Sequence, residues 1–122
     1  MCSSDLYAST AASEAAVDAY ERFREGTRLL AGANPHAAII PLEQARDLEP
    51  DQGSIREALA RAYFRTGRFG EAEREFARVV DLDPVNDYAL YGLGLCRTRA
   101  GDADGARRWL RLAVAMRPDA DH

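Results

Sequence analysis

The sequence predicts an all-α chain, an α-solenoid of three helix-turn-helix repeats, and three observations carry that expectation. Pro50, Pro84 and Pro118 stand 34 residues apart in the similar contexts Asp47-Leu48-Glu49-Pro50, Asp81-Leu82-Asp83-Pro84 and Ala115-Met116-Arg117-Pro118. Self-similarity at such a period marks units that stack to share a core. Matched columns keep the same register: Ala38, Ala72 and Ala106; Leu42, Phe76 and Leu110; Ala45, Val79 and Ala113; Glu25, Leu59 and Leu93; Gly26, Ala60 and Gly94. Small residues recur where two helices approach closely, and large apolar ones where a knob fills the space between them. Between the prolines, apolar residues fall at helical spacing.

The units lie at about 13–50, 51–84 and 85–118, forming one domain over 13–118 between an N-terminal segment, 1–12, and a tail, 119–122. In the first, a long, alanine-rich leading helix is expected to begin between Thr10 and Ser13. Gly32 ends it, Asn34 caps the next helix, and Pro35 takes the first helical position, where its missing N–H costs nothing. Pro41 is expected to kink this second helix or loosen its first turn. In the second unit Ser54-Ile55-Arg56-Glu57 reads as a capping box, opening a helix with the stripe Ile55, Leu59, Ala62 and Tyr63. Gly67 suits the left-handed position that closes it. A partner helix from about Phe69 to Asp81 turns Ala72, Phe76, Val79 and Val80 inward until Pro84 forbids continuation. The third unit repeats the plan, with Tyr88 to Ala100, a Gly101 stop, Asp102 as N-cap and a helix to about Met116.

Composition narrows the function. The chain has 122 residues, 47% apolar and 30% charged, enough for the core of one domain and too periodic for disorder. No apolar run approaches the roughly 20 residues that span a bilayer, and Cys2 with Cys96 cannot make a disulfide framework. All 16 basic residues are arginine and alanine occurs 23 times, biases that a GC-rich genome produces and that also favour helix. The formal charge of −4 argues against nucleic acid and against anionic membrane surfaces. Met1-Cys2-Ser3-Ser4-Asp5-Leu6 reads as the translation of a sequencing-adapter tail. Residues 1–6 are therefore expected to be an assembly artefact, with the natural chain extending upstream. The alternatives are an ordinary start or the relic of an export signal, although no basic segment and apolar run of a signal peptide precede the first unit. A cytoplasmic location is expected.

A 34-residue helix-turn-helix unit with small residues, an aromatic or leucine knob and a terminal proline resembles the tetratricopeptide repeat, over roughly residues 13–118. The second unit is nearest the pattern, through Leu59, Ala60, Tyr63, Gly67, Phe69, Ala72, Phe76 and Pro84. The first departs at Glu25 and Leu29, and the third at Arg97. In Pro35-His36-Ala37-Ala38 and Ala113-Val114-Ala115-Met116-Arg117-Pro118-Asp119 the chain is also similar to small bacterial, in particular actinobacterial, members. The resemblance implies a right-handed superhelix in which the first helix of each unit lines a concave face. Inward positions would be Tyr20, Phe23, Thr27 and Leu30, then Ser54, Glu57, Arg61, Phe64 and Arg65, then Tyr88, Tyr91, Leu95, Thr98 and Arg99. The expected peptide-binding groove takes Tyr20, Phe23, Thr27, Arg61, Phe64, Arg65, Tyr88, Tyr91 and Arg99 from these. Aromatic anchors would supply apolar contact, and arginines would pair with carboxylates or carbonyls of the peptide.

Blander readings stand beside this one. The aromatics Tyr20, Phe23, Tyr88 and Tyr91 would equally pack between units or against an upstream helix. Arg61, Arg65 and Arg99 would equally pair with nearby glutamates, at under about 1 kcal/mol each, and Arg65 and Arg99 complement helix C-termini. The family's chaperone-binding members hold a C-terminal carboxylate with lysine, asparagine and arginine. Here those positions fall on Phe23, Thr27, Ala58, Tyr88 and Gly92, none of which can do so.

Catalytic chemistry is not expected. His36 reads as solvated and His122 is the last residue; no His/Cys/Asp cluster has metal-ligand spacing. Cys96 reads as a buried structural thiol. Tyr91-Gly92-Leu93-Gly94-Leu95 falls within a helix instead of a phosphate loop, and the acidic clusters Glu71-Glu73-Glu75 and Asp81-Asp83 read as solvated faces. No catalytic residue, metal or cofactor is assigned. Leu110, Leu112, Val114 and Met116 would leave an apolar strip partly uncovered, pointing to a longer array or to a homodimer through the last helix. The function expected is a non-catalytic scaffold that binds a protein or peptide partner. The alternative is the structural or regulatory repeat portion of a larger protein.

Overall fold

The computed structural model describes residues 2–117, with side chains from residue 11 onward. Met1, the side chains of residues 2–10, Pro118 and the tail 119–122 with His122 lie outside the described residues, so the adapter reading of residues 1–6 rests on sequence alone. Six helices follow in order: α1 (Cys2–Ala31), α2 (Pro35–Leu48), α3 (Gly53–Arg65), α4 (Phe69–Leu82), α5 (Asp87–Arg99) and α6 (Ala103–Met116). No strand occurs among the described residues. Each helix packs on the next, so that the hairpins α1–α2, α3–α4 and α5–α6 stack through α2 on α3 and α4 on α5.

The turn inside each hairpin is the same turn, repeated at the sequence period. Gly67 and Gly101 adopt φ of 81° and 80°, and the next residues, Arg68 and Asp102, donate their N–H back to Tyr63 and Arg97 at 2.8 and 2.9 Å. In the first hairpin the left-handed residue is Ala33, at φ 63°, and not the expected Gly32. Asn34 then donates to Leu29 at 2.9 Å, as Arg68 and Asp102 do one and two periods later. A Cβ is disfavoured in that region, so glycine was sought one residue too early.

Helix starts follow capping chemistry with two departures. Asn34 accepts from Ala37 N–H at 3.3 Å and Asp102 from Gly105 N–H at 2.9 Å, both as expected. Asn86 caps α5 through Ala89 N–H at 3.0 Å, a cap beyond those expected. The capping box at Ser54 does not form: α3 starts at Gly53, its N-cap is Gln52 without a side-chain bond, and Ser54 is already inside the helix. Nor does α1 wait for Thr10 to Ser13. Alanines at 8, 11, 12, 15 and 16, with no glycine or proline before Gly26, carry the helix from Cys2, so the boundary expected at residues 12 and 13 falls inside it. α2 runs unbroken through Pro41, whose nitrogen has no hydrogen to donate to the Ala37 carbonyl.

Most of the repeat columns enter the core, although Glu25 is exposed and Leu110 half-buried. Ala38, Leu42, Ala45, Leu59, Ala60 and Ala72 are fully buried, and Phe76 and Val79 nearly so. Glycines act as sockets for the knobs of the partner helix. A Cβ on Gly26 would overlap Leu42, and one on Gly94 would lie 2.6 Å from Leu110. Phe76 turns instead to the next unit, where a Cβ on Gly92 would stand 2.6 Å from its ring. Burying such side chains contributes about 2 kcal/mol each, and the missing Cβ atoms let α5 come close to α4.

One polar cluster sits in this core. Glu75, expected on a solvated face, is 7% exposed and accepts from Arg46 and Arg56, each at 2.8 Å. Arg56 also donates to the Pro50 carbonyl at 2.7 Å, so α2, α3, α4 and the turn between the first two units are tied together. Glu73 and Glu71 likewise pair, with Arg97 at 2.9 Å and Arg68 at 2.6 Å.

Candidate binding groove

The faces of α3 and α5 that turn away from their hairpin partners meet in a recess of about 110 Å³. Its lining is Arg61, Phe64, Arg65, Phe76, Tyr88, Tyr91, Gly92 and Leu95. Helical spacing explains the set: Arg61, Phe64 and Arg65 share one face of α3, and Tyr88, Tyr91, Gly92 and Leu95 one face of α5. Phe76 reaches the floor from α4 because Gly92 has no side chain in its way. Ring contacts fix the walls: Phe64 meets Phe69 edge-on at 5.1 Å, and Tyr88 tilts against Phe76 at 6.2 Å. Tyr88 and Tyr91 nonetheless stay 40% and 49% exposed, so they are available to a partner.

The three arginines of the expected groove are held in different ways. Arg65 donates to the Leu30 carbonyl of α1 at 3.2 Å. Arg99 lies 5.7 Å over both Phe64 and Phe69. Arg61 Nε is buried and has no hydrogen-bond acceptor. Among the described residues none of the three pairs with a glutamate, although Arg65 and Arg99 do stand in the last turns of α3 and α5, where a cation complements the helix. Glu57, one turn before Arg61, accepts instead from Asn86 Nδ2 at 3.2 Å. Burial pushes the Tyr88 phenol above its ordinary range, opposed first by the Arg61 guanidinium and more weakly by that of Arg65.

The residues expected from the first unit lie elsewhere. Tyr20 and Phe23 line a separate depression of about 280 Å³ between α1 and the start of α3, with Gln52, Ser54 and Ile55 among its walls. Tyr20 is 59% exposed, with the Arg24 guanidinium 5.9 Å above its ring. Phe23 is half-buried and packs against the core. Thr27 donates to the Phe23 carbonyl at 2.9 Å and lies on a third, shallow recess of α1. Leu30 is a core residue, and Thr98 donates back to Gly94 at 3.0 Å. Phe76 is not among the expected groove residues, and Gly92 is linked to binding only as a position of the family's carboxylate clamp. The signal available was the glycine on α5 facing a large knob on α4.

A further depression of about 400 Å³ opens beside α6, lined by Asp87, Tyr88, Tyr91, Leu110, Ala113, Val114 and Arg117. The apolar strip expected on this helix divides: Leu110 and Val114 face the depression, while the exposed Leu112 and Met116 point to the opposite side. Cys96 is buried, and burial followed by the charge of Glu73 pushes its thiol up to about 11. Among the described residues no group of three or more His, Cys, Asp or Glu side chains could hold a metal, and no helix is long and apolar enough to cross a membrane.

These features define a stack of helical hairpins with an open face, and comparison with known proteins gives it a family. The tetratricopeptide repeat model matches residues 23–87 and again 57–121, so the chain belongs to that family. It is 29% identical over 92 residues to superkiller protein 3 of Schizosaccharomyces pombe, a match over 75% of this chain and 7% of that protein. Among solved structures it is similar to YrrB, described as a tetratricopeptide protein with an unusual peptide-binding site, at 25% identity and a TM-score of 0.80, over 83% of this chain and 52% of that one. The second tetratricopeptide domain of Spaghetti, solved with the HSP90 peptide SRMEEVD, shares the fold at 18% identity and a TM-score of 0.82, over 88% of this chain and 99% of that one. The chain thus spans about half of YrrB and a small part of superkiller protein 3.

Proposed function

We propose that the chain is a non-catalytic protein-interaction scaffold whose groove between α3 and α5 receives a peptide segment of a partner. The observation that carries this reading is the recess shared by Arg61, Phe64, Arg65, Tyr88 and Tyr91, an aromatic and cationic surface left open between α3 and α5 above Phe76 of α4. Membership in the tetratricopeptide family supports it, as does the peptide-binding site ascribed to YrrB. In this reading Arg99, over Phe64 and Phe69, flanks the recess, and Tyr20, Phe23 and Thr27, which lie in depressions of their own, are outlying contacts for a longer peptide. The free, buried Cys96 thiol supports a reducing, cytoplasmic setting. The lysine-free, alanine-rich composition supports an origin in a GC-rich bacterium. Selection of peptides by display on the purified chain, followed by titration calorimetry of Tyr91→Ala and Arg65→Ala, tests the assignment. Each change is expected to weaken the selected peptide, Tyr91→Ala by about tenfold; affinity unmoved by both removes the groove as the site.

A second reading is favoured by the depression beside α6. In it the chain is the repeat portion of a larger assembly, with a homodimer through α6 as the simplest form. Sedimentation of the wild type and of Val114→Glu decides this reading: a monomer at high concentration in both cases contradicts the homodimer.

A further inference from the structure

We infer that the recess between α3 and α5 selects a carboxylate-bearing side chain adjacent to an apolar one, and that Arg61 is the residue that reads the carboxylate; the inference rests on the peptide-groove reading above. Among the groove's three arginines, Arg65 is engaged by the Leu30 carbonyl and Arg99 lies over Phe64 and Phe69. Arg61 has neither kind of partner, and its Nε is buried without an acceptor. A guanidinium N–H taken out of water with nothing to donate to is an unfavourable arrangement. The usual remedy on a helix would be Glu57, four residues earlier. That carboxylate is bonded by Asn86 Nδ2, while Asn86 Oδ1 caps α5, so one asparagine starts the second wall of the groove and engages the acid nearest in sequence to Arg61.

No carboxylate lines the recess itself. Its other walls include the rings of Phe64, Phe76, Tyr88 and Tyr91 and a second guanidinium, Arg65, a half-exposed aromatic and cationic setting that suits a charge-assisted fork to an incoming aspartate or glutamate. On the Tyr88 phenol the Arg61 guanidinium is the largest charge effect, followed by the opposing Glu57 carboxylate and then Arg65. The volume of about 110 Å³ is too small for a folded surface and suits one or two side chains of an extended segment. An aromatic or aliphatic neighbour on the same peptide would lie against Tyr91, whose ring is half exposed.

The test is a random-peptide display selection run in parallel on the full chain and on Arg61→Met, which keeps the length and helix preference of the side chain without its charge. The wild type is expected to enrich Asp or Glu next to an apolar residue. Arg61→Met is expected to keep the apolar preference and lose the acidic one, and to bind the wild-type peptide about tenfold more weakly. Changing the acid of that peptide to its amide should weaken binding to the wild type by a similar factor and leave Arg61→Met unaffected. An acid-free consensus for the wild type, or equal binding of acid and amide peptides, overturns the role of Arg61 while leaving the groove intact. Failure to select any peptide overturns the groove and this inference together. The acid-to-amide comparison uses only the wild-type chain, so it stands even if Arg61→Met unfolds.

Discussion

Ala33 shows how a single residue can depart from a repeat without disturbing it. It holds the left-handed turn that Gly67 and Gly101 hold one and two periods later, yet it carries a Cβ. Replacing Ala33 with glycine removes that strain and is expected to stabilise the fold by about 1 kcal/mol, read as a rise in the midpoint of urea unfolding. An unchanged or lower midpoint would mean the turn tolerates its Cβ freely. The position was hidden because Gly32 stands next to it and glycine is the usual mark of this turn. Cys96 was legible as a buried thiol from its place on an inward stripe, and its environment sets a pH dependence. Because the folded thiol is raised to about 11, the native state keeps its proton longer than the unfolded chain. The associated stability is intact below the ordinary thiol value, near 9, and is lost as pH climbs towards 11. Urea melts at pH 8 and pH 10 should therefore show a larger fall for the wild type than for Cys96→Ala.

Helices were legible because their signals are local. Proline at the first position of α2, asparagine or aspartate before α2 and α6, and glycine in two turns all act within a few residues. What escaped was set by partners far along the chain. Glu75 lies in a run of alternating charges that reads as a wet surface, but Arg46 and Arg56, 29 and 19 residues away, fold onto it. Glu75 thus joins three helices, and Glu75→Gln leaves two guanidiniums partly unpaired in a largely dry site. A loss of about 3 kcal/mol is expected from thermal or urea unfolding, well beyond the cost of a surface pair. A change under about 0.5 kcal/mol would show the cluster to be solvated after all. The failed capping box at Ser54 is by contrast local: α3 already begins at Gly53 with Gln52 as its N-cap, so the serine stands two residues too late to cap.

For the molecule as a whole, stacking of like hairpins explains both the fold and the partial legibility of the groove. Register told which helix faces share the open side, and it brought Arg61, Phe64, Arg65, Tyr88 and Tyr91 to one recess. It could not tell that Tyr20, Phe23 and Thr27 fall into other depressions, because that depends on how far α1 and α3 stand apart, which no spacing encodes. The junction of the second and third units rests on Phe76 against Gly92. Gly92→Ala is expected to destabilise by about 2 kcal/mol through overpacking, whereas Gly70→Ala, in the first turn of α4 with open space around it, should stabilise by about 0.5 kcal/mol. Urea unfolding of both variants checks the pair, and a neutral Gly92→Ala would mean the units are loosely docked. The groove itself is best probed by NMR titration of the isotopically labelled chain with a display-selected peptide. Amide shifts are expected to concentrate around Arg61, Phe64, Tyr88, Tyr91 and Leu95; shifts confined to α2, α4 or the outer side of α6 would contradict a binding face between α3 and α5.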